Sequence, residues 1–148
     1  MLLKQGHYVC ATDINMRGLD EAFGAFFSSS HRDRLLVREL DVREPEQWQA
    51  LVQQLVVQWG GLDVLMNIAG YLMPQKIQDA SLREIDLHID INVKGVVLGT
   101  KAASEVMLSQ DASGGHIINV ASMAAVATVS GVTMVQTQYF AFASTFHW

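Results

Sequence analysis

Trp48, Leu51, Val52, Leu55, Val56 and Trp59 recur at the spacing of a single helix face. Pro45 stands where a first helical turn tolerates proline, and Gly60-Gly61 stops the run. Directly after it comes Leu62 to Ile68, apolar apart from Asp63 and Asn67, as expected of a strand covered on both faces in a parallel sheet. This pair constrains the fold more than any other feature, because parallel strands need a long crossover between them and a helix is the usual one.

The same alternation runs through the rest of the chain. His7 to Ile14 reads as a strand, preceded by Leu2-Leu3-Lys4-Gln5-Gly6, which has the form of a helix end closed by glycine. Met16, Leu19, Phe23, Phe26 and Phe27 follow at helical spacing, then a polar loop from Ser28 to Arg34 and a second strand from Leu35 to Val42. Ser81-Leu82-Arg83-Glu84 has capping-box spacing. Ile85, Ile89, Val93, Val96 and Val97 carry one long helix towards Met107, with a break expected near Ile89. Gly114-Gly115 then turns the chain into a buried strand, His116 to Ala121, that ends at Ser122. Strands alternating with helices imply an α/β fold with a parallel sheet and right-handed crossovers.

Composition narrows the function. A length of 148 residues suits one domain around one core, and 50% hydrophobic against 17% charged residues is far from a disordered composition. The net charge of -5 is spread thinly and the ten Lys and Arg residues form no stripe, which leaves a nucleic-acid footprint or an anionic-membrane patch nothing to rest on. No run reaches the length of a membrane span, and Met1 to Gly6 is too short for a signal sequence. Cys10 is the single cysteine, so there is no internal disulfide, and a reducing, cytoplasmic setting is expected. His7, His31, His88, His116 and His147 have no metal-ligand spacing, and no metal is expected. His88 and Asp90 alternate with Ile89 and Ile91 and read as surface-facing. No charged residue follows Asp111, and the end is uncharged and aromatic from Thr137 to Trp148.

In an open parallel sheet, ligands bind at the carboxyl ends of the strands, and here those ends hold Asp13, Asp41, Asn67 to Gly70 and Ser122. An acidic residue at the position of Asp13 accepts hydrogen bonds from the adenosine ribose of a dinucleotide and repels a 2′-phosphate, which favours NAD over NADP. The same carboxylate can also serve the start of the helix near Asn15.

Three segments carry a family resemblance. Asn67-Ile68-Ala69-Gly70 resembles the N-N-A-G strand end of short-chain dehydrogenases/reductases, and Asn92 in Ile91-Asn92-Val93 resembles their helix-4 asparagine. Ile117-Ile118-Asn119-Val120-Ala121-Ser122 resembles the strand that carries their catalytic serine. With Asp13 and Asp41-Val42 at the preceding strand ends, the match covers residues 1 to about 125 and leaves 126–148 as an atypical tail. It implies part of an NAD(P)-binding, Rossmann-like, doubly wound parallel sheet, and hydride transfer between nicotinamide and an alcohol or ketone. Ser122 and Asn92 would be catalytic, Asp41 and Val42 would meet the adenine, and Asn67, Ala69 and Gly70 would lie along the cofactor. Dimers and tetramers of the family use the helix that corresponds to Leu87 to Gln110, so a homo-oligomer through it is a further implication.

Two family elements have no match. The T-G-x-x-x-G-x-G turn and its strand, whose amides and helix N-terminus hold the pyrophosphate, are not found. In a sheet of order 3-2-1-4-5 that strand is the central one, and without it ladder groups lose their partners and stability falls. The Y-x-x-x-K pair is also missing: Tyr139 stands 17 positions beyond Ser122, with Ala143 in place of the lysine. A chain cut at both ends fits this pattern. The alternative to an enzyme is an inactive cofactor-binding remnant, or an interaction module that pairs with full-length subunits.

Overall fold

The computed structural model describes residues 2–27, 31–110 and 114–122. The chain divides into two compact units, Met1–Asp41 and Val42–Trp148.

In the first unit a 3₁₀ turn, Leu2–Gln5, ends at Gly6, whose φ of 95° lies in the left-handed region that glycine enters without steric cost. Strand β1, Val9–Asp13, helix α1, Met16–Phe27, and strand β2, Leu35–Glu39, follow. The strands pair in parallel from Val9 opposite Leu35 to Asp13 opposite Glu39. Asn15 starts α1: its Oδ1 accepts the Gly18 N–H at 3.0 Å, satisfying one of the amides a helix N-terminus leaves open. Helical spacing brings Met16, Leu19, Phe23 and Phe26 onto a cluster with Leu3, Leu35 and Val37, which is the core of this unit.

The second unit holds helix α2, Pro45–Trp59, strand β3, Val64–Asn67, helix α3, Leu82–Ile89, a π-helical turn, Asp90–Lys94, helix α4, Gly95–Ser109, and strand β4, His116–Asn119. Gly60 closes α2 at φ 87°, its N–H bonded to the Val56 carbonyl at 2.9 Å. Strands β3 and β4 pair in parallel from Val64 opposite His116 to Asn67 opposite Asn119. Ala103 and Met107 of α4 pack on Ile117, with Leu62 and Leu65 against them. Gly99 permits a close approach here, since a Cβ at that position would lie 2.7 Å from Asn67 Oδ1 and 2.8 Å from the Trp48 ring. The Gln110 side chain holds both backbone groups of Leu62, accepting its N–H at 3.0 Å and donating to its carbonyl at 2.9 Å.

Every expected strand and helix forms among the described residues, and the break expected near Ile89 is the π turn at Asp90–Lys94. The pairings are those of strands 2 with 3 and 4 with 5 in the expected order, made as two separate two-stranded sheets. The reading of Leu62 to Ile68 as covered on both faces, and of His116 to Ala121 as a buried strand, is corrected. Leu65, Asn67 and Ile117 face α4, whereas Val64, Met66, Ile118 and Val120 are exposed. Strand side chains alternate, and among the described residues only one face of this ladder is covered. No helix of the described residues is long and apolar enough to cross a membrane.

Candidate functional site

In the first unit, the ladder brings Asp13 and Asp41 to the same carboxyl end. The Asp13 carbonyl accepts the Leu40 N–H at 3.0 Å, one residue before Asp41. The Asp13 carboxylate is exposed and its Oδ1 accepts the Asn15 N–H at 2.9 Å. The carboxylate thus bonds the residue that caps α1, not the helix itself, and stays exposed. In the first turn of α1, Arg17 pairs with Glu21 at 3.0 Å on the exposed surface.

In the second unit, Asn67 is buried and its side-chain amide donates to Asn119 Oδ1 at 2.8 Å and to Thr100 Oγ1 at 3.3 Å. Its carbonyl accepts the Val120 N–H at 3.0 Å. Strand register explains the pair: Asn67 and Asn119 stand opposite one another, and residues in register in a parallel ladder point to the same face. Asn67 thus ties two strands and α4 together at the point where the sheet turns into loop. Asn119 and Thr100 were not singled out from the sequence, because that partnership depends on strand register.

Asn92 sits in the π turn. Its Oδ1 accepts the Tyr71 N–H at 2.7 Å and its Nδ2 donates to the Tyr71 carbonyl at 2.8 Å, so one amide grips both backbone groups of the residue after Gly70. Extra residues in a helical turn leave backbone groups without their regular partners, and such turns recur at functional sites. Ala69 and Gly70 are exposed at this strand end, and a Cβ on Gly70 would come 3.4 Å from Asn92 Oδ1. Small side chains keep the backbone open to a ligand here.

Val42 lies against the other end of the same turn, its Cγ2 2.8 Å from where a Cβ on Gly95 would be, and its carbonyl accepts the Trp48 indole N–H at 3.0 Å. Ser122 is exposed, two residues past Val120, whose N–H joins Asn67. The structure thus links Asn67 to Asn119 and Asn92 to the Gly70–Tyr71 segment. Tyr139 and the aromatic tail lie outside the described residues.

His88 requires a correction. It is 2% exposed rather than surface-facing, with Nδ1 3.3 Å from the Glu84 carbonyl and its ring edge-on to Tyr71 at 4.9 Å. The alternation with Ile89 and Ile91 has a strand's period, while the segment is helical, so the faces it suggested do not exist. One turn earlier, Glu84 Oε2 accepts from Ser81 N and Oγ, both at 2.7 Å, and from Gln75 Nε2 at 3.1 Å. Those bonds, led by the one from the Ser81 hydroxyl, lower its carboxyl to about 2. Burial pushes the Cys10 thiol up to about 11 against the opposing pull of Arg38, which suits a packing residue rather than a nucleophile. Among the described residues, no group of three or more His, Cys, Asp and Glu could hold a metal ion.

Comparison with known proteins places this geometry. The profile described as short chain dehydrogenase matches residues 1–140. An uncharacterized oxidoreductase of Staphylococcus aureus (strain MRSA252) is 39% identical over 92 residues, covering 62% of this chain and 39% of that protein. Among solved structures, the apo form of LigO from Sphingobium sp. strain SYK-6 superposes with a TM-score of 0.85 at 28% identity, over 93% of this chain and 50% of that one. The closed form of serine dehydrogenase complexed with NADP+ gives 0.79 at 30% identity, over 95% of this chain and 54% of that one. The chain therefore spans about half the length, or less, of the proteins it matches. With a profile match that runs through most of its residues, the chain belongs to the short-chain dehydrogenase family, whose members are oxidoreductases that use nicotinamide cofactors.

Proposed function

We propose that this chain carries strand-end residues of an NAD-dependent dehydrogenase that transfers hydride between the nicotinamide and an alcohol or ketone. The observation that carries the reading is the Asn92 amide, closed on both backbone groups of Tyr71 next to the exposed, small-residue strand end Ala69-Gly70. A dinucleotide needs backbone it can approach closely, which Ala69-Gly70 would offer in the second unit, and an acidic acceptor for its ribose, which Asp13 would offer in the first; the glycine turn for its pyrophosphate has no counterpart in the sequence. When bound, the cofactor would supply the hydride chemistry.

The protein's own groups then have separable tasks. Ser122 would hydrogen-bond the substrate oxygen and stabilise charge that develops on it. Asn92 spends its side chain on Tyr71, and its backbone would hold a water of the proton path, as the resemblance implies. Ala69 and Gly70 would lie beneath the cofactor, with Asn67 bracing them from below. By the family resemblance, Asp41 and Val42 would meet the adenine edge.

Asp13 would accept the ribose hydroxyls, and its charge would disfavour a 2′-phosphate. Serine dehydrogenase is complexed with NADP+ in its own structure. Here the exposed Asp13 carboxylate supports NAD instead.

Calorimetric titration of the purified chain with NAD and NADP tests the reading. Saturable NAD heat that weakens at least tenfold in Asp13→Ala is expected. A folded sample that gives no heat with either dinucleotide would end it.

A further inference from the structure

Two residues at the strand-end loop have work in the reading above, and a third group there has none. The His88 ring is almost completely enclosed. A carbonyl only accepts, so the 3.3 Å contact with the Glu84 carbonyl puts the proton on Nδ1. Nε2 is the buried side-chain atom without a hydrogen-bond partner among the described residues. A leucine would fill such a place without an orphaned polar atom, so an imidazole there calls for a reason.

The reason lies in what the ring touches. Glu84, His88 and Asn92 follow one another at four-residue intervals, a spacing that stacks side chains along one side of a helix. All three reach the same short segment after β3. Asn92 holds the Tyr71 backbone at 2.7 and 2.8 Å, the His88 ring meets the Tyr71 ring at 4.9 Å, and Glu84 accepts from Gln75 at 3.1 Å. Glu84 is itself fixed by the Ser81 capping box, so the stripe is anchored at its N-terminal end. The segment 71–75 is thus held at its start, through its first side chain and at its end by one row of residues.

We infer that His88 is a positioning residue: through the Tyr71 ring it sets the placement of the Gly70–Tyr71 strand end, and with it the surface offered to the nicotinamide side of the cofactor. The inference rests on the dehydrogenase reading for the ligand, while the mechanical part concerns this chain alone. His88 acts through Tyr71 and touches no reacting atom. The flat ring gives Tyr71 an edge-to-face partner that an aliphatic side chain cannot supply.

The test compares the full chain with His88→Leu and His88→Phe, using amide hydrogen exchange, thermal midpoint and NADH titration by fluorescence. In His88→Leu the amides of residues 70–75 should exchange at least tenfold faster, while those of α2 and the second half of α4 keep their rates and the midpoint stays within a few degrees. NADH affinity should fall about tenfold, and His88→Phe should restore both exchange and affinity to within about threefold. Unchanged exchange at 70–75 in His88→Leu would overturn the inference. So would a loss spread evenly over α2, α4 and the loop, which marks His88 as ordinary core. If His88→Leu does not fold, Gln75→Ala and His88→Phe carry the comparison: faster exchange confined to 72–75 in the first and wild-type exchange in the second are expected, and the opposite pattern overturns it. A wild-type chain that binds no NADH defeats the dehydrogenase reading and leaves the exchange result to decide the stripe.

Discussion

Asn67 and His88 are the two buried polar residues among those described, and they are buried in opposite ways. Asn67 spends its side-chain N–H groups on Asn119 and Thr100 and its backbone carbonyl on Val120, so these groups at the end of the β3–β4 ladder are all partnered. His88 satisfies one ring nitrogen and leaves the other bare. A closed network mainly stabilises, because removing any member strands the others, whereas an open group costs free energy where it stands and is kept for some other purpose. The contrast separates a part of the site that fixes the scaffold from a part that adjusts it.

Four changes would break or sharpen that contrast. The largest effect is expected from Gly99→Val, which drives a branched side chain towards Asn67 Oδ1 and the Trp48 ring. Urea denaturation should register a loss of about 3 kcal/mol, at the upper end for overpacked cores. Asn67→Ala removes the donor and leaves Asn119 Oδ1 and Thr100 Oγ1 unmatched, for a loss of about 2 kcal/mol by the same measurement. Asn92→Ala frees the Tyr71 backbone, which water can then reach, so the loss should be nearer 1 kcal/mol, with faster exchange confined to residues 70–75.

The fourth concerns pH. The Glu84 carboxyl is lowered to about 2 from an ordinary 4.5, so its share of stability is complete above about pH 4.5 and is lost as pH falls towards 2. Ser81→Ala removes the leading cause of that shift and should flatten the acid limb of a stability-against-pH curve between those values. A limb unchanged by Ser81→Ala would remove Glu84 as the anchor of the stripe.

Much of the second unit was legible from residue order alone. The Trp48 to Trp59 stripe, the capping box at Ser81 and the glycine stop at Gly60 each encode a local rule, and each element formed where that rule placed it. Asp13 and Asp41 at the end of the β1–β2 ladder, and Asn67 and Ser122 at the end of the β3–β4 ladder, were readable as two separate sets because topology brings strand ends to one edge within each sheet. What the residues touch was less legible. The apolar run at Leu62 to Ile68 says that a strand forms and not how many of its faces are covered, so exposed Val64 and Met66 were missed. His88 was misplaced because four alternating residues imitate a strand's period inside a helix. Counting from the capping box in steps of four, Glu84 to His88 to Asn92, would have found its side. The Asn67–Asn119 pair needed the register, which pairing fixes and composition does not.

The most direct measurement sets Asn67→Ala and His88→Leu side by side in urea, with the wild-type chain in the same buffer. A closed scaffold and an open adjuster require Asn67→Ala to lose about 2 kcal/mol while His88→Leu stays within about 0.5 kcal/mol of wild type or gains stability, since leucine removes a stranded polar atom. Equal losses in the two variants, or a larger loss in His88→Leu, would contradict the distinction between them.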